Sequence, residues 1–281
     1  MKSMTAENRT INIFRWALCL VVFLLIAVPL WISVMGGFKT VGQLRAEPAS
    51  IPNPFIWQQY TDLLIGKIGS FWRELLNSVI LGVGTVGIGL MTATFAGYAL
   101  ARIRFRFNNL IFTYFWLGLL FPLSVASLPL YLQLRNLGLL DTHIGVILPQ
   151  TAFGLPMMVM LLRGFIRQIP NELEEAAAID GYGRFGFLFK IVVPLSTPIL
   201  ATVSVLTFVS SWNNFFMPLL VLNKIASYPL PLGVMDFYGQ HAADWNMILA
   251  FLTLAMVPAV IIYLFCQKYI VQGLTSGAVK G

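Results

Sequence analysis

Long uncharged runs alternate with short polar interruptions along the whole of this chain. Six apolar windows reach the roughly 20 residues that a helix needs to cross a hydrocarbon core. They are Trp16–Met35, Ser78–Leu100, Leu110–Leu132, Ile144–Leu162, Thr197–Leu220 and Asn246–Gln267. In hydrocarbon every backbone N–H and C=O must be paired within its own segment, so each window is predicted as a helix. The pattern is that of an all-α membrane protein with six transmembrane helices.

Finer patterning lies inside those windows. In the second, small residues recur at every fourth position, Thr85, Gly89, Ala93 and Gly97. That spacing predicts one face on which another helix approaches closely, inside the bundle or on a partner. Pro122, Pro129, Pro149 and Pro156 in the third and fourth windows predict local breaks, tolerated where neighbours take up the freed carbonyls. In the fifth, Ser204, Thr207, Ser211 and Asn214 share one face, which either hydrogen-bonds a neighbouring helix or lines a wet path. Trp212-Asn213-Asn214 is the most polar patch of that window and the candidate substrate contact. The candidate substrate path is thus Ser204, Thr207, Ser211, Asn213 and Asn214. No Asp, Glu, Lys, Arg or His lies well inside any window. An ionisable group there often marks a proton or ion relay, so a proton-coupled carrier is disfavoured.

Composition fits the same class. The chain of 281 residues is 58% hydrophobic and 10% charged, against roughly a quarter charged in soluble domains. The net charge of +7 points to topology and away from nucleic acid. Lys2, Arg9, Arg15, Arg102, Arg104, Arg106, Arg163, Arg167, Arg184, Lys190, Lys268 and Lys280 fall on one side of the alternating windows, and the remaining six of the 18 bases on the other. The positive-inside bias puts that first side, with both termini, in the cytoplasm. Arg102-Ile103-Arg104-Phe105-Arg106-Phe107 is accordingly read as a topology anchor in a short inner loop. Cys19 and Cys266 give no disulfide framework. Between the first two windows, Pro48, Pro52 and Pro54 predict an extended stretch. Tyr60 to Leu76, mixing apolar and charged residues, is expected to lie along the membrane surface.

One inner loop is unlike the rest. It holds Glu172, Glu174, Glu175 and Asp180, four of the chain's 11 acids, although inner loops favour bases. Asn171 as N-cap with Glu174 three positions on has capping-box spacing. Acids in the first turn suit the helix dipole, and Gly181 stands where a helix ends in the left-handed conformation. Leu173, Ala176 and Ala177 make a small apolar face that fits a groove on a partner, with Glu175 projecting charge beside it. A second apolar helical stretch runs from Arg184 to Pro194 and the fifth window.

Glu175-Ala176-Ala177, Gly181, Ile191 and Val193-Pro194 stand at the spacing of the cytoplasmic loop signature of bacterial binding-protein-dependent ABC importer permeases, with Val193 where the pattern has leucine. The flanking Ile169-Pro170-Asn171-Glu172-Leu173, Leu139-Leu140-Asp141-Thr142, Trp212-Asn213-Asn214 and the tail from Gly273 to Gly281 also resemble this family, in particular the smaller maltose-type permeases. The resemblance covers roughly Phe71 to Gly281. It implies residues 1–70 as an N-terminal transmembrane helix with an outer loop, and 71–281 as the permease domain. It further implies a cytoplasmic coupling helix between the fourth and fifth transmembrane helices, docking on a cytosolic ABC ATPase dimer through Glu172, Leu173, Glu175, Ala176, Ala177, Asp180, Gly181, Ile191 and Pro194. A second homologous permease subunit and an extracytoplasmic solute-binding protein complete such a system. Its cargo is a sugar, oligosaccharide or related polyol, and its site is the bacterial inner membrane, in contact with lipid.

The sequence carries no Gly-x4-Gly-Lys-Ser/Thr phosphate loop, so ATP and Mg are expected on the partner ATPase and no cofactor on this chain. His143 and His241 have no clustered ligands, so no metal is expected. No catalytic arrangement of side chains is recognised either, and the chain is read as a transport subunit without enzyme activity. The rival readings are a stand-alone secondary carrier or channel and a non-transporting membrane scaffold.

Overall fold

A computed structural model describes residues 6–238 and 244–278; His241 and the last three residues of the tail lie outside them. The helices are α1 (Ala6–Gly36), α2 (Val41–Ala46), α3 (Gln58–Leu64), α4 (Phe71–Arg102), α5 (Asn108–Gly118), α6 (Leu123–Asn136), α7 (His143–Ile166), α8 (Asn171–Ile179), α9 (Arg184–Phe187), α10 (Val193–Leu195), α11 (Thr197–Trp212), α12 (Phe216–Val221), α13 (Leu230–Gly233) and α14 (Trp245–Ala278).

Among the described residues, four helices are long and apolar enough to cross a membrane unbroken, over Phe14–Gly36, Phe71–Arg102, His143–Ile166 and Trp245–Phe265. The third and fifth predicted helices are each bent. α5 and α6 meet at 101°, and Arg184–Leu195 meets α11 at 75°; six crossings result if each bent pair is one span. The first bend has a local cause. Leu119, Leu120 and Phe121 donate to carbonyls three residues back, which tightens the chain, and Pro122, extended at ψ 130°, has no N–H to continue the helix. At the second, Pro194 lacks the N–H that would reach Lys190. The chain widens into a π turn over Leu188–Val192, with Val193 N–H bonded to Leu188. α11 then stops at Trp212, short of the predicted Leu220, and Asn214 Oδ1 accepts from Met217 N–H at 3.0 Å to restart the chain as α12. Contrary to expectation, Pro129, Pro149 and Pro156 stay inside unbroken helices.

The chain divides into two compact units, Met1–Phe71 with Val234–Val257, and Trp72–Gly233 with Pro258–Gly281. In the second unit the small-residue face of α4 is spent on α7. Ala93 is fully buried. A Cβ at Gly89 would lie 2.9 Å from the Met158 thioether, and one at Gly97 would lie 3.2 Å from Leu162 Cβ. Such close approach matters because lipid is as apolar as leucine, leaving van der Waals fit and interhelical hydrogen bonds to hold membrane helices together. The seam continues into a core of Val159, Leu162, Ile166, Phe187, Leu188 and Val192.

In the first unit α3 ends at Leu64, so the stretch from Tyr60 to Leu76 is not one element. Gly66 and Gly69, at φ 71° and 74°, end α3 and turn the chain into α4. Tyr60, Leu63 and Phe71 are buried, and Phe71 packs edge-on against Phe251 at 6.1 Å. Phe38 stacks on Tyr60 at 4.3 Å. Lys39 is 0% exposed, yet its ammonium donates to the carbonyls of Glu47 (2.6 Å) and Pro48 (2.9 Å) and to Ser50 Oγ (3.2 Å). Burial lowers its pKa and the Glu47 charge partly opposes that shift.

Leu139-Leu140-Asp141-Thr142 has a structural role at the head of α7. Thr142 caps the helix, its Oγ1 accepting from Gly145 N–H at 3.1 Å. Asp141, at φ 60°, takes the backbone N–H groups of Asn223 and Lys224 on one carboxylate oxygen. Those bonds, Asn223 first, hold its pKa below the ordinary carboxylate value. A lowered folded value means the stabilisation is complete above the unfolded pKa of about 3.9 and is lost as pH falls through the folded value. Asp141→Asn, which also tolerates positive φ, is therefore expected to lower thermal stability in detergent at pH 7. The difference from wild type should shrink as pH falls below the ordinary carboxylate value of about 3.9; an offset independent of pH would contradict this role.

Candidate functional site: a capped loop helix and a polar cavity

α8 spans Asn171–Ile179, so the acidic loop folds as the sequence indicates. Its start does not use the predicted capping box. Pro170 occupies the N-cap without a side-chain bond, because Asn171 Oδ1 is taken by Arg102 Nη1 at 2.6 Å. Beyond any role in topology, the Arg102 side chain, 5% exposed, turns inward as a clasp. It donates to the carbonyls of Ile166 (2.9 Å) and Ile169 and pairs with Glu174 at 3.6 Å. One guanidinium thus satisfies the last carbonyls of α7 and the first turn of α8 together, using the fork that lysine lacks.

The other end of α8 is built as predicted. Gly181 has φ 82°, its N–H bonds Ala178 O at 3.1 Å and Tyr182 N–H bonds Ala177 O at 2.8 Å. That pair of bonds is the Schellman cap. A Cβ at Gly181 would meet nothing within 4 Å among the described residues, so a larger residue is opposed there by the backbone angle alone.

The faces of α8 differ from expectation in one respect. Ala177 points inward, 2% exposed, into the core with Ile166, Ile169, Phe187 and Leu188. Leu173 and Ala176 remain exposed, as do Glu172, Glu175 and Asp180. Ile179, 86% exposed, and Phe185, 72% exposed, complete the outer apolar surface. Ile179 follows Glu172, Glu175 and Ala176 at helical spacing, a signal present in the sequence. Ile191 and Pro194 lie apart from this knob: Ile191 is half-buried in the π turn and Pro194 exposed in α10.

A cavity of about 240 Å³ opens between α6, α7 and α11. Thr207, Ser211 and Asn214 line it. Ser204 does not, its hydroxyl donating back to Leu200 O at 2.7 Å. Asn213 and Trp212 line a separate groove with Phe208 and Tyr263, so only Asn214 of the polar patch reaches the cavity. Gln150 of α7 was missed because it is one amide inside an apolar window. It is buried, and its Oε1 accepts from Ser211 Oγ (2.6 Å) and Thr85 Oγ1 (3.1 Å). Its Nε2 has no partner among the described residues. The stripe on α11 therefore does both of the things open to it, bonding α7 and lining a polar space.

A helical membrane bundle with bent spans, an internal polar cavity and a capped acidic loop helix defines a transport subunit. Residues 86–276 match the family described as binding-protein-dependent transport system inner membrane component, and the chain belongs to that family. It is a multi-pass permease subunit of an ATP-driven importer of the bacterial inner membrane. It is 36% identical over 268 residues, 93% of this chain and 95% of the relative, to a putative ABC transporter permease of Caldicellulosiruptor sp. (strain Rt8B.4). It is 32% identical to the arabinooligosaccharides transport system permease AraQ of Bacillus subtilis (strain 168), covering 99% and 100% of the two chains. A solved bacterial ABC transporter involved in alginate import shares the fold, with TM-score 0.82 at 23% identity over 96% of this chain and 99% of that one.

Arg102→Ala leaves two helix-end carbonyls and Asn171 without their charged donor. Hydrogen exchange over residues 171–180 is expected to accelerate about tenfold or more, from the ~1.5–3 kcal/mol typical of such bonds. Unchanged protection there would remove the clasp from the account.

Proposed function

We propose that this chain moves a sugar or oligosaccharide, and that α8 is the coupling helix through which a cytosolic ABC ATPase dimer drives it. The observation that carries the reading is the outward surface of α8: Glu172, Leu173, Glu175, Ala176 and Ile179 in one exposed patch, fixed at one end by Arg102 and at the other by Gly181. A knob rigid at both ends transmits displacement, where a frayed one would absorb it. Ile191 and Pro194 belong to the segment that carries such displacement into α11, whose polar residues face the cavity.

The cargo class rests on chemistry and likeness together. Gln150, Thr207, Ser211 and Asn214 offer hydroxyls and amides without charge, suited to a neutral polyhydroxylated solute. The Bacillus relative is named for arabinooligosaccharides. A second homologous permease, an extracytoplasmic solute-binding protein and cytoplasmic termini follow from this reading. So do an ATP- and Mg-binding site on the partner and no enzyme activity in this chain. A secondary carrier would keep transporting after ATP depletion and stop with ionophores; this subunit should do the opposite.

Glu175→Lys and Gly181→Val are expected to abolish uptake while membrane insertion stays normal. Gly181→Asn should retain most activity because asparagine tolerates the left-handed backbone. Wild-type uptake by the first two variants would sink the docking role. Gln150→Leu is expected to raise the KM for uptake several-fold with ATPase docking intact, whereas an unchanged KM would take Gln150 out of the solute path.

A further inference from the structure

A groove of about 670 Å³ lies beside the first turns of α8, between the end of α4, the start of α5 and the end of α7. Its charged lining is Arg102, Arg104, Arg163 and Arg167 against Glu174 and Glu175. Arg102 and Glu174 are paired with each other, which leaves three guanidiniums facing one carboxylate. Arg163 is held rigidly, its Nε on Leu100 O at 3.2 Å and its guanidinium 3.6 Å over the Phe112 ring. Arg102 Nε, on a side chain 5% exposed, has no partner among the described residues. The positive-inside bias accounts for the side of the membrane these arginines occupy, but neither it nor transport of a neutral solute requires them to converge on one groove.

Of these helices, α5 and α7 continue into a trough of opposite character. Tyr114, Leu117 and Phe121, all exposed, face Ala152, Phe153 and Pro156 across about 550 Å³ of mainly apolar space. Along α7 the trough ends at Pro156 and the basic groove begins at Arg163. Seven residues of helix separate them, roughly 10 Å at 1.5 Å per residue. A polar anion pocket with an apolar channel leading from it into the membrane has the shape and chemistry of one amphiphile.

We propose that this surface is a binding site for an anionic glycerophospholipid. Its phosphate sits among Arg104, Arg163 and Arg167, and an acyl chain runs along α5 into the trough beside Pro156. A free phosphate would use the groove but not the trough. A protein docking from the aqueous side would leave the trough, on helices of membrane-crossing hydropathy, unfilled; the partner permease is the competing occupant, and with it in the trough the assembly would retain no lipid there. The occupied groove would brace the Arg102 clasp, making the lipid a regulator of how firmly α8 is held.

The test uses the whole importer, purified with its ATPase and partner permease and placed in nanodiscs of phosphatidylcholine with or without phosphatidylglycerol. Native mass spectrometry reads the lipid retained. Wild type should keep phosphatidylglycerol in preference to phosphatidylcholine, and excess inorganic phosphate should not displace it. Arg104→Gln with Arg167→Gln should weaken retention about fivefold for each charge removed, ~25-fold together. Ala152→Phe, which fills the trough and changes no charge, should weaken it as well. Equal retention of both lipids, displacement by phosphate, or no effect of either variant would overturn the proposal. So would burial of residue 104 under the ATPase, read as protection of an Arg104→Cys thiol from labelling in the assembly. None of these readouts requires uptake, so the lipid site and the coupling role stand or fall separately.

Discussion

Buried backbone polar groups have no water to turn to, and where this chain leaves regular helix inside its packed core a side chain serves as substitute donor or acceptor. The exits from α7 and the entry to α8 are closed by Arg102, whose guanidinium collects carbonyls that the helices cannot. Tyr98 adds a hydroxyl to Arg184 O at 3.2 Å, and Asn108 reaches the carbonyls of Leu100 and Ile103. Asn77 does the same at the opposite end of α4, donating to Ala226 O (3.0 Å) and Tyr228 O (2.9 Å). Polar side chains thus concentrate where regular helix gives way, and the apolar remainder of each span is free to pack.

That division explains what was legible in the chain and what was not. Hydropathy located all the apolar windows because length and absence of charge are local properties. It could not distinguish a straight window from a bent one, since the bends at Leu119–Pro122 and Ser196 depend on which carbonyl loses its donor. Proline alone was ambiguous: Pro149 and Pro156 sit within one continuous α7, while Pro122 begins a new helix. The fourfold small-residue repeat was readable as a packing face, but only the fold names α7 as its partner.

The site was legible to a similar degree. Gly181 could be placed in the left-handed region from sequence because its position after an alanine-rich helix leaves few alternatives. Asn171 was misjudged because capping residues also serve as acceptors for distant donors, and Arg102 lies 69 residues away. Ala177 and Ala176 are chemically identical, so nothing local says which faces the core. Gln150 illustrates the remaining blind spot: an isolated uncharged amide in a long apolar run leaves almost no compositional trace, yet it joins α4, α7 and α11 through Thr85 and Ser211.

The π turn over Leu188–Val192 holds an extra residue relative to an α-helix of the same height, and that surplus sets the angular phase of everything after it. Each residue of α-helix corresponds to about 100° of rotation. Losing the surplus would swing Thr207 and Ser211 away from Gln150 and carry Phe208 and its neighbours toward the polar space instead. The polar lining of the cavity therefore depends on a counting rule in a segment that does not line it.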